Sequence, residues 1–313
     1  MMHEKVLTVT LNPAIDTSLW VKRLEDGEVC RTSREEYQAG GKGVNISRTL
    51  KKFGVDTPAF FLCGERSAAE YLSLLKQEGI RCHYVPAEGA VRENIHIITE
   101  DGRFYKVNRN GLQADEKRLR ILARMVREAS DEDTILVVSG SLPEGMDAAM
   151  FGTFVKEISA KAGRLVLDTS ALHIGQLMEL KPYLIKPNLE EFCRMTNQKK
   201  LEAQQAMRRA QKYAGKGIEQ ILLSLGSDGL ALVTPRRILA ASVPSVKAVN
   251  TVGAGDNALA GFLLGLAGGE TPERCVELAA AFGSASVLLD GTHPPRREDV
   301  RRLCEQITVG ELG

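Results

Sequence analysis

Glycines and a single carboxylate open an apolar helix at Thr251-Val252-Gly253-Ala254-Gly255-Asp256, with Asn257-Ala258-Leu259-Ala260-Gly261 continuing it. Gly253 and Gly255 let the backbone turn tightly enough to aim several N–H groups at one anion, and the helix dipole adds partial positive charge there. An acid in such a place would repel a phosphate unless it takes a proton from an attacking hydroxyl, as a catalytic carboxylate does in phosphoryl transfer. Two other readings of Asp256 stay open on these residues alone. It can cap the free N–H groups of its own helix. The stretch also fits the G-x-G-x-x-A form of a dinucleotide fingerprint, but Gly265 to Leu289 reads as two alanine-rich helices with no second strand, which weighs against that.

Other segments carry matching chemistry. In Ala39-Gly40-Gly41-Lys42-Gly43-Val44-Asn45 three glycines surround a cation at a helix start. Gly41 permits close approach, Lys42 can meet a phosphate as a point charge, and Asn45 can both donate to and accept from sugar hydroxyls; a plain loop-to-helix turn is the alternative. Asn188 and Glu191 stand at i and i+3 just after Pro187, on one face of a helix start. Glu191 could order water around Mg²⁺ there, or simply stabilise the helix dipole. Ser224-Leu225-Gly226-Ser227-Asp228-Gly229 is either a seat for nucleotide phosphates or a hairpin loop. Arg92 and Asn94 are the local candidates for gripping an anionic substrate, Arg92 through its bidentate fork.

These residues need a frame. Short apolar runs at 6–10, 59–63, 135–138, 165–167, 183–185 and 221–223 read as buried parallel strands, and amphipathic helices lie between them. The pattern predicts a doubly wound α/β fold, a mostly parallel sheet with helices on both faces. Residues 1–313 read as a single such domain. Segments 17–37 and 82–107 have strand patterns without helices, including an Asp101-Gly102 hairpin turn, and predict a small antiparallel β lid over a cleft. Asn12, Asp16, Ser139, Ser141, Asp168, Lys186, Asn188 and Ser224 all follow predicted strands, where the crevice of an open parallel sheet lies.

Composition narrows the class. A net charge of +1 with 26% charged residues leaves no single-sign block, so nucleic acid is not the indicated partner. The six cysteines have no C-x-x-C spacing and the five histidines no metal-ligand spacing, which reads as small apolar residues in a reducing, cytoplasmic compartment. The apolar runs are too short for a signal peptide or a membrane span.

Taken in order, Leu11-Asn12-Pro13-Ala14-Ile15-Asp16, Gly40-Gly41-Lys42-Gly43-Val44-Asn45, Ser139-Gly140-Ser141-Leu142-Pro143, Lys186-Pro187-Asn188-Leu189-Glu190-Glu191, Ser224-Leu225-Gly226 and Thr251 to Asp256 resemble the ribokinase-like (PfkB) sugar kinases. More narrowly, the chain is similar to the branch holding 1-phosphofructokinase and tagatose-6-phosphate kinase. The resemblance implies ATP and Mg²⁺ as cofactors and a phosphorylated ketohexose as substrate. It implies Asp256 as the base, the Gly253, Ala254 and Gly255 backbone as the anion hole, and Asn188 with Glu191 for Mg²⁺ and nucleotide phosphates. It further implies Asp16, Gly41 and Asn45 on sugar hydroxyls, Lys42 and Arg92 on the existing phosphate, and ATP contacts from Ser224, Gly226, Gly229 and Thr251. A homodimer through the lid follows by the same resemblance. Fructose 1-phosphate is the expected acceptor, tagatose 6-phosphate and fructose 6-phosphate the rivals, and a non-catalytic sugar-phosphate sensor the alternative of another class. Two positions depart from the pattern: Asn257 stands where a serine or threonine is expected, and Arg109-Asn110-Gly111 is unusual where the lid strand returns.

Overall fold

The computed structural model describes residues 4–312. In chain order its strands are β1 (Lys5–Thr10), β2 (Ala14–Val21), β3 (Thr32–Gly40), β4 (Ala59–Gly64), β5 (Cys82–Ala87), β6 (Arg92–Thr99), β7 (Phe104–Asn108), β8 (Thr134–Ser139), β9 (Arg164–Asp168), β10 (Leu184–Ile185), β11 (Gln220–Ser224), β12 (Leu230–Val233), β13 (Ile238–Ala241) and β14 (Val309–Leu312). Its helices are α1 (Lys42–Lys52), α2 (Ala68–Gln77), α3 (Glu116–Ala129), α4 (Ala148–Ser159), α5 (Ile174–Leu180), α6 (Leu189–Met195), α7 (Ala203–Tyr213), α8 (Ala254–Ala267), α9 (Pro272–Ser286) and α10 (Arg297–Cys304).

Alternation along the strands builds the layers. Leu7, Val9, Leu136 and Val138 point into a core roofed by α3, α4 and α7, while Val6, Ile135 and Val137 point into one formed with α1, α8 and α9. Residues i and i+2 share a sheet face, so one apolar run feeds two cores. The large sheet has the order β14-β13-β12-β11-β10-β9-β8-β1-β4-β5, parallel from β5 to β11 and antiparallel beyond. The chain winds outward from β1 to β4 and β5, then from β8 through β11 on the other side. The order therefore reverses between β1 and β8, and the crevice belongs at the carboxyl ends of those strands. This is the doubly wound fold expected.

Helices α8 and α9 meet at small residues. A Cβ on Gly261 would lie 2.6 Å from the Leu278 carbonyl oxygen, and one on Gly265 would lie 2.9 Å from Cys275 Sγ. Only glycine lets the two backbones approach this closely.

The lid is a four-stranded sheet in the order β3-β2-β6-β7. The pairs β2–β3 and β6–β7 are antiparallel, with Ile98 opposite Phe104 around the Asp101-Gly102 turn, but the central pair β2–β6 is parallel. The lid's boundaries also differ from the sequence reading. Residues 82–87 form β5, the edge strand of the main sheet paired along the whole of β4, and the lid starts at Ala14. An edge strand exposed on one side alternates much as a lid strand does, and the crossover helix α2 that marks it as parallel precedes it. Register sets two lid faces. Gln38, Asp16 and Asn94 form one row facing the crevice; Tyr37, Thr17, Ile95 and Val107 form a row on the opposite face.

Of the six free cysteines, Cys63, Cys193 and Cys275 are buried as small apolar residues, whereas Cys30 is exposed on the loop between β2 and β3. Arg296, which precedes α10, and Arg297, Arg301 and Arg302 within it are exposed. No helix among the described residues is long and apolar enough to cross a membrane.

Candidate active site

Helix α8 begins at Gly253, whose φ of 78° is left-handed, and has no side-chain cap. Asn250 holds the preceding turn, accepting from the Val252 N–H at 3.0 Å and donating to the Gly291 carbonyl at 2.8 Å. Among the described residues the N–H groups of Gly253, Gly255 and Asp256 find no acceptor, so they remain available to an anion. A Cβ on Gly255 would lie 3.1 Å from Lys186 Nζ, which brings that cation to the same helix end.

Asp256 is 6% exposed and accepts one hydrogen bond, from Asn45 Nδ2 to its Oδ2 at 2.8 Å. Its other oxygen is unbonded. Burial pushes its carboxyl up to about 6, with Lys42 opposing the rise and Asp168 adding to it. That is a carboxylate poised to accept a proton near neutral pH. Asn257, the departure from the family pattern, has a structural answer. Its Oδ1 accepts from Thr49 on α1 at 2.6 Å and its Nδ2 donates to the Gly253 carbonyl at 3.0 Å, tying α1 to the start of α8.

Helix α1 also starts on a glycine without a side-chain cap, Gly41, with φ of 110°. Gly40 before it is required by Asp16, since a Cβ there would lie 2.3 Å from Asp16 Oδ2. Lys42 Nζ lies 3.1 Å from Asp168 Oδ1 and 3.7 Å from Glu191 Oε1. Burial alone would lower its pKa, but the charges of Asp168, Asp256 and Glu191 hold it above the usual lysine range. Asp168 is buried, and burial would raise it; Lys186, 3.5 Å away, and Lys42 together hold it below the ordinary aspartate value. Asn188 and Glu191 form a reciprocal capping box at the start of α6, each side chain accepting from the other's N–H at 2.8 and 2.9 Å. The capping alternative for this pair is therefore real, and it leaves Glu191 Oε1 facing Lys42.

From the lid, Asp16 accepts from Asn94 Nδ2 at 2.8 Å and from Thr292 Oγ1 at 3.1 Å. Arg92 at the start of β6 is half-buried and its Nε has no partner. Burial pulls its pKa down, and Asp16 and Tyr71 counter that. Lys42 and Arg92, which the resemblance pairs on one phosphate, stand apart in their bonding: Lys42 with the acids at the carboxyl ends of the main sheet, Arg92 on the lid.

A cavity of about 790 Å³ joins these parts. It is lined by Asp16, Gly41, Lys42, Asn45, Arg92, Asn94, Lys186, Asn188, Glu191, Ser224, Gly226, Gly229, Thr251, Gly253, Ala254, Gly255 and Asp256, so nearly every candidate converges. Ser141 does not line it; it is exposed and lies against Asn12, whose Nδ2 donates to it at 3.4 Å. The turn after β8 that carries it ends short of the cavity wall. The segment 224–229 is a turn between antiparallel β11 and β12, as a hairpin reading gives, and its glycines also line the cavity. A Cβ on Gly229 would lie 2.0 Å from the Ala241 carbonyl oxygen. The sequence reading missed the apolar end of the cavity, where Val243, Pro244 and Val246 face Ala279, Ala280 and Val287. The first three lie in an irregular segment without periodicity; the small residues of α9 were the available signal.

Residues 8–299 match the pfkB family carbohydrate kinase. The chain is 28% identical to a 1-phosphofructokinase of Vibrio cholerae, covering 99% of this chain and 98% of that one. It is 32% identical to a 1-phosphofructokinase of Haloferax volcanii, over 94% of this chain and 95% of the other. Among solved structures it resembles phosphofructokinase-2 from Escherichia coli in complex with fructose-6-phosphate, with a TM-score of 0.89 and 25% identity over 97% of this chain and 99% of that one. Agreement over almost the full length, on a fold whose crevice gathers the motif residues, means that this chain belongs to the pfkB family of carbohydrate kinases.

Proposed function

We propose that the enzyme transfers the γ-phosphoryl group of ATP to the free primary hydroxyl of fructose 1-phosphate, giving fructose 1,6-bisphosphate and ADP. One observation carries this reading: Asp256 holds one oxygen on Asn45 and leaves the other unbonded, beside uncapped amides and across from the lid's Asp16 and Arg92. The names of the Vibrio and Haloferax relatives support the sugar.

In this reading Asp256 removes the hydroxyl proton as the oxygen attacks the γ-phosphorus, and the bond to the ADP oxygen breaks. The Gly253, Gly255 and Asp256 amides meet the charge on the moving group, and Lys42, close to Asp256 and Asp168, serves that group rather than the sugar's own phosphate. Arg92 is left to hold the existing phosphate, and Asp16, Asn94, Asn45 and Gly41 the sugar hydroxyls. ATP lies along Lys186, Asn188, Ser224, Gly226, Gly229 and Thr251, its base in the apolar end of the cavity. Positioning and fixed dipoles supply most of the rate in such a site.

The donor set fits a Mg²⁺ that arrives with the nucleotide and keeps its waters. Among the described residues no three His, Cys, Asp or Glu side chains cluster as a cage, while Glu191 Oε1 lines the cavity free of hydrogen bonds. Glu191 and Asn188 would hold it through water, and the ion would neutralise phosphate charge.

The described chain is read as one α/β domain with the lid as its appendage, acting in the cytoplasm. Exposed Tyr37, Tyr105 and Val107 on the lid's outer face support a homodimer through that sheet.

A second acceptor has its own support, since the Escherichia coli structure is a complex with fructose-6-phosphate. ADP release measured with fructose 1-phosphate, fructose 6-phosphate and tagatose 6-phosphate decides among them. The highest kcat/KM is expected with fructose 1-phosphate; preference for another sugar overturns the acceptor, and no turnover with any of them favours a sensor.

A further inference from the structure

Arg48, on α1 two turns beyond the glycine start, is 3% exposed. A buried guanidinium must be paired, and Glu78 at the end of α2 pairs it with both carboxylate oxygens, at 2.9 and 2.7 Å from Nε. That contact uses one edge of the fork. Nη1 reaches the other way, donating to Asn45 Oδ1 at 3.4 Å and to the Thr292 carbonyl at 3.3 Å.

Both acceptors lead into the site. Arginine can only donate, so with Oδ1 on Arg48 the Asn45 carboxamide must present its NH₂ to Asp256, where Nδ2 lies 2.8 Å from Oδ2. The reversed amide would set oxygen against carboxylate. Thr292, whose carbonyl takes the second bond, has its hydroxyl 3.1 Å from Asp16 Oδ2.

We propose that Arg48 is a positioning residue for phosphoryl transfer: by fixing the Asn45 carboxamide and the Thr292 carbonyl together, it holds Asp256 and the lid's Asp16 in one frame around the acceptor sugar. This rests on Asp256 being the base. The charged groups around Asp256 are Lys42 from α1, Asp168 from the end of β9 and Lys186 after β10, with Arg92 and Asp16 across the cavity. None of them selects the orientation of Asn45. Its N–H stabilises the ionised form of Asp256, so an Asn45 free to turn leaves the carboxyl easier to protonate.

The test is the pH profile of kcat and the KM for fructose 1-phosphate in Arg48→Met, normalised to folded enzyme. kcat is expected to fall about tenfold at pH 6.5 and less at pH 8.5, the scale of one hydrogen bond to a charged group, with the acid limb moving up. KM should rise as Asp16 loses its frame. Adding Asn45→Ala to Arg48→Met should leave the acid limb where Asn45→Ala alone puts it, since both remove one interaction. A lower melting temperature with unchanged kcat, acid limb and KM overturns the proposal. Should Arg48→Met not fold, Arg48→Lys keeps a cation beside Glu78 without a fork that spans both partners; the same shifts are expected, smaller, and a parental profile overturns the proposal. Asp256→Asn is the control. If it turns over normally, the reading of Asp256 as base fails; if it is inactive while Arg48 variants keep the parental profile, only this inference fails.

Discussion

The floor of the cavity and the outer face of its lid differ sharply in exposure. On the floor, Asp168, Lys186 and Asp256 are nearly inaccessible, and each charge is answered by a neighbour across a strand end or helix start. On the lid, every residue of β7 is exposed, and the outer face leaves Tyr37 at 46% and Val107 at 50% accessibility. The floor is preorganised, because buried groups held by close neighbours have few alternative arrangements. The lid is a four-stranded sheet whose outer face is left uncovered. In the proposed reaction, chemistry falls to the buried floor and recognition to the lid.

The strongest break in that comparison is Asp256→Asn, expected to lower kcat by about 10³-fold, within the range for removing a general base, while sugar-phosphate binding persists. Stability should move the other way. The Asp256 carboxyl sits at about 6 in the folded chain, above its unfolded value, so ionising it costs folding stability as pH rises through that window. The melting temperature of the variant at pH 8 should equal or exceed that of the parent; a clear fall would contradict the buried, ionised carboxylate.

Gly40→Ala tests the seam between floor and lid. Its Cβ would lie 2.3 Å from Asp16 Oδ2, so Asp16 must leave its place, and kcat/KM for the sugar should drop about 100-fold with ATP affinity retained. Arg92→Ala probes the lid alone: KM for the phosphorylated sugar should rise about 30-fold with kcat little changed, the scale of a lost charged hydrogen bond pair. An equal effect on free fructose would remove Arg92 from the phosphate. For the parent enzyme, kcat should fall as pH drops below about 6, roughly tenfold by pH 5, as Asp256 takes up its proton. A flat profile there argues against this base. The smallest catalytic change is expected from Tyr105→Glu on the lid's outer face, less than twofold in kcat, yet it should shift the protein toward monomer in sedimentation.

Much of the floor was legible in the sequence because its signals are local. Buried strands are continuous β-branched runs, and the glycine-started helices at Gly41 and Gly253 carry their anion-site character in adjacent residues. The parallel pairing of β2 with β6 was not legible, because it joins residues 78 apart whose alternation is the same in either direction. The strand 82–87 was misassigned for a related reason: exposure on one side writes the same pattern at a sheet edge as in a lid. Arg48 and Thr292 were invisible as site neighbours, since a buried arginine on an amphipathic helix and a threonine before Pro294 become meaningful only when α1 and the 291–294 turn meet. Ser141 failed for the opposite cause; placement after a strand is necessary for the crevice but does not fix how far a turn reaches.

The glycine contacts between α8 and α9 have a mechanical outcome. With the Leu278 carbonyl and Cys275 packed so near Gly261 and Gly265 that no side chain fits between, the helix bearing Asp256 has little room to slide or roll. If Asp256 is the base, it therefore works as an anvil, and the acceptor sugar is brought to it from the side of the lid.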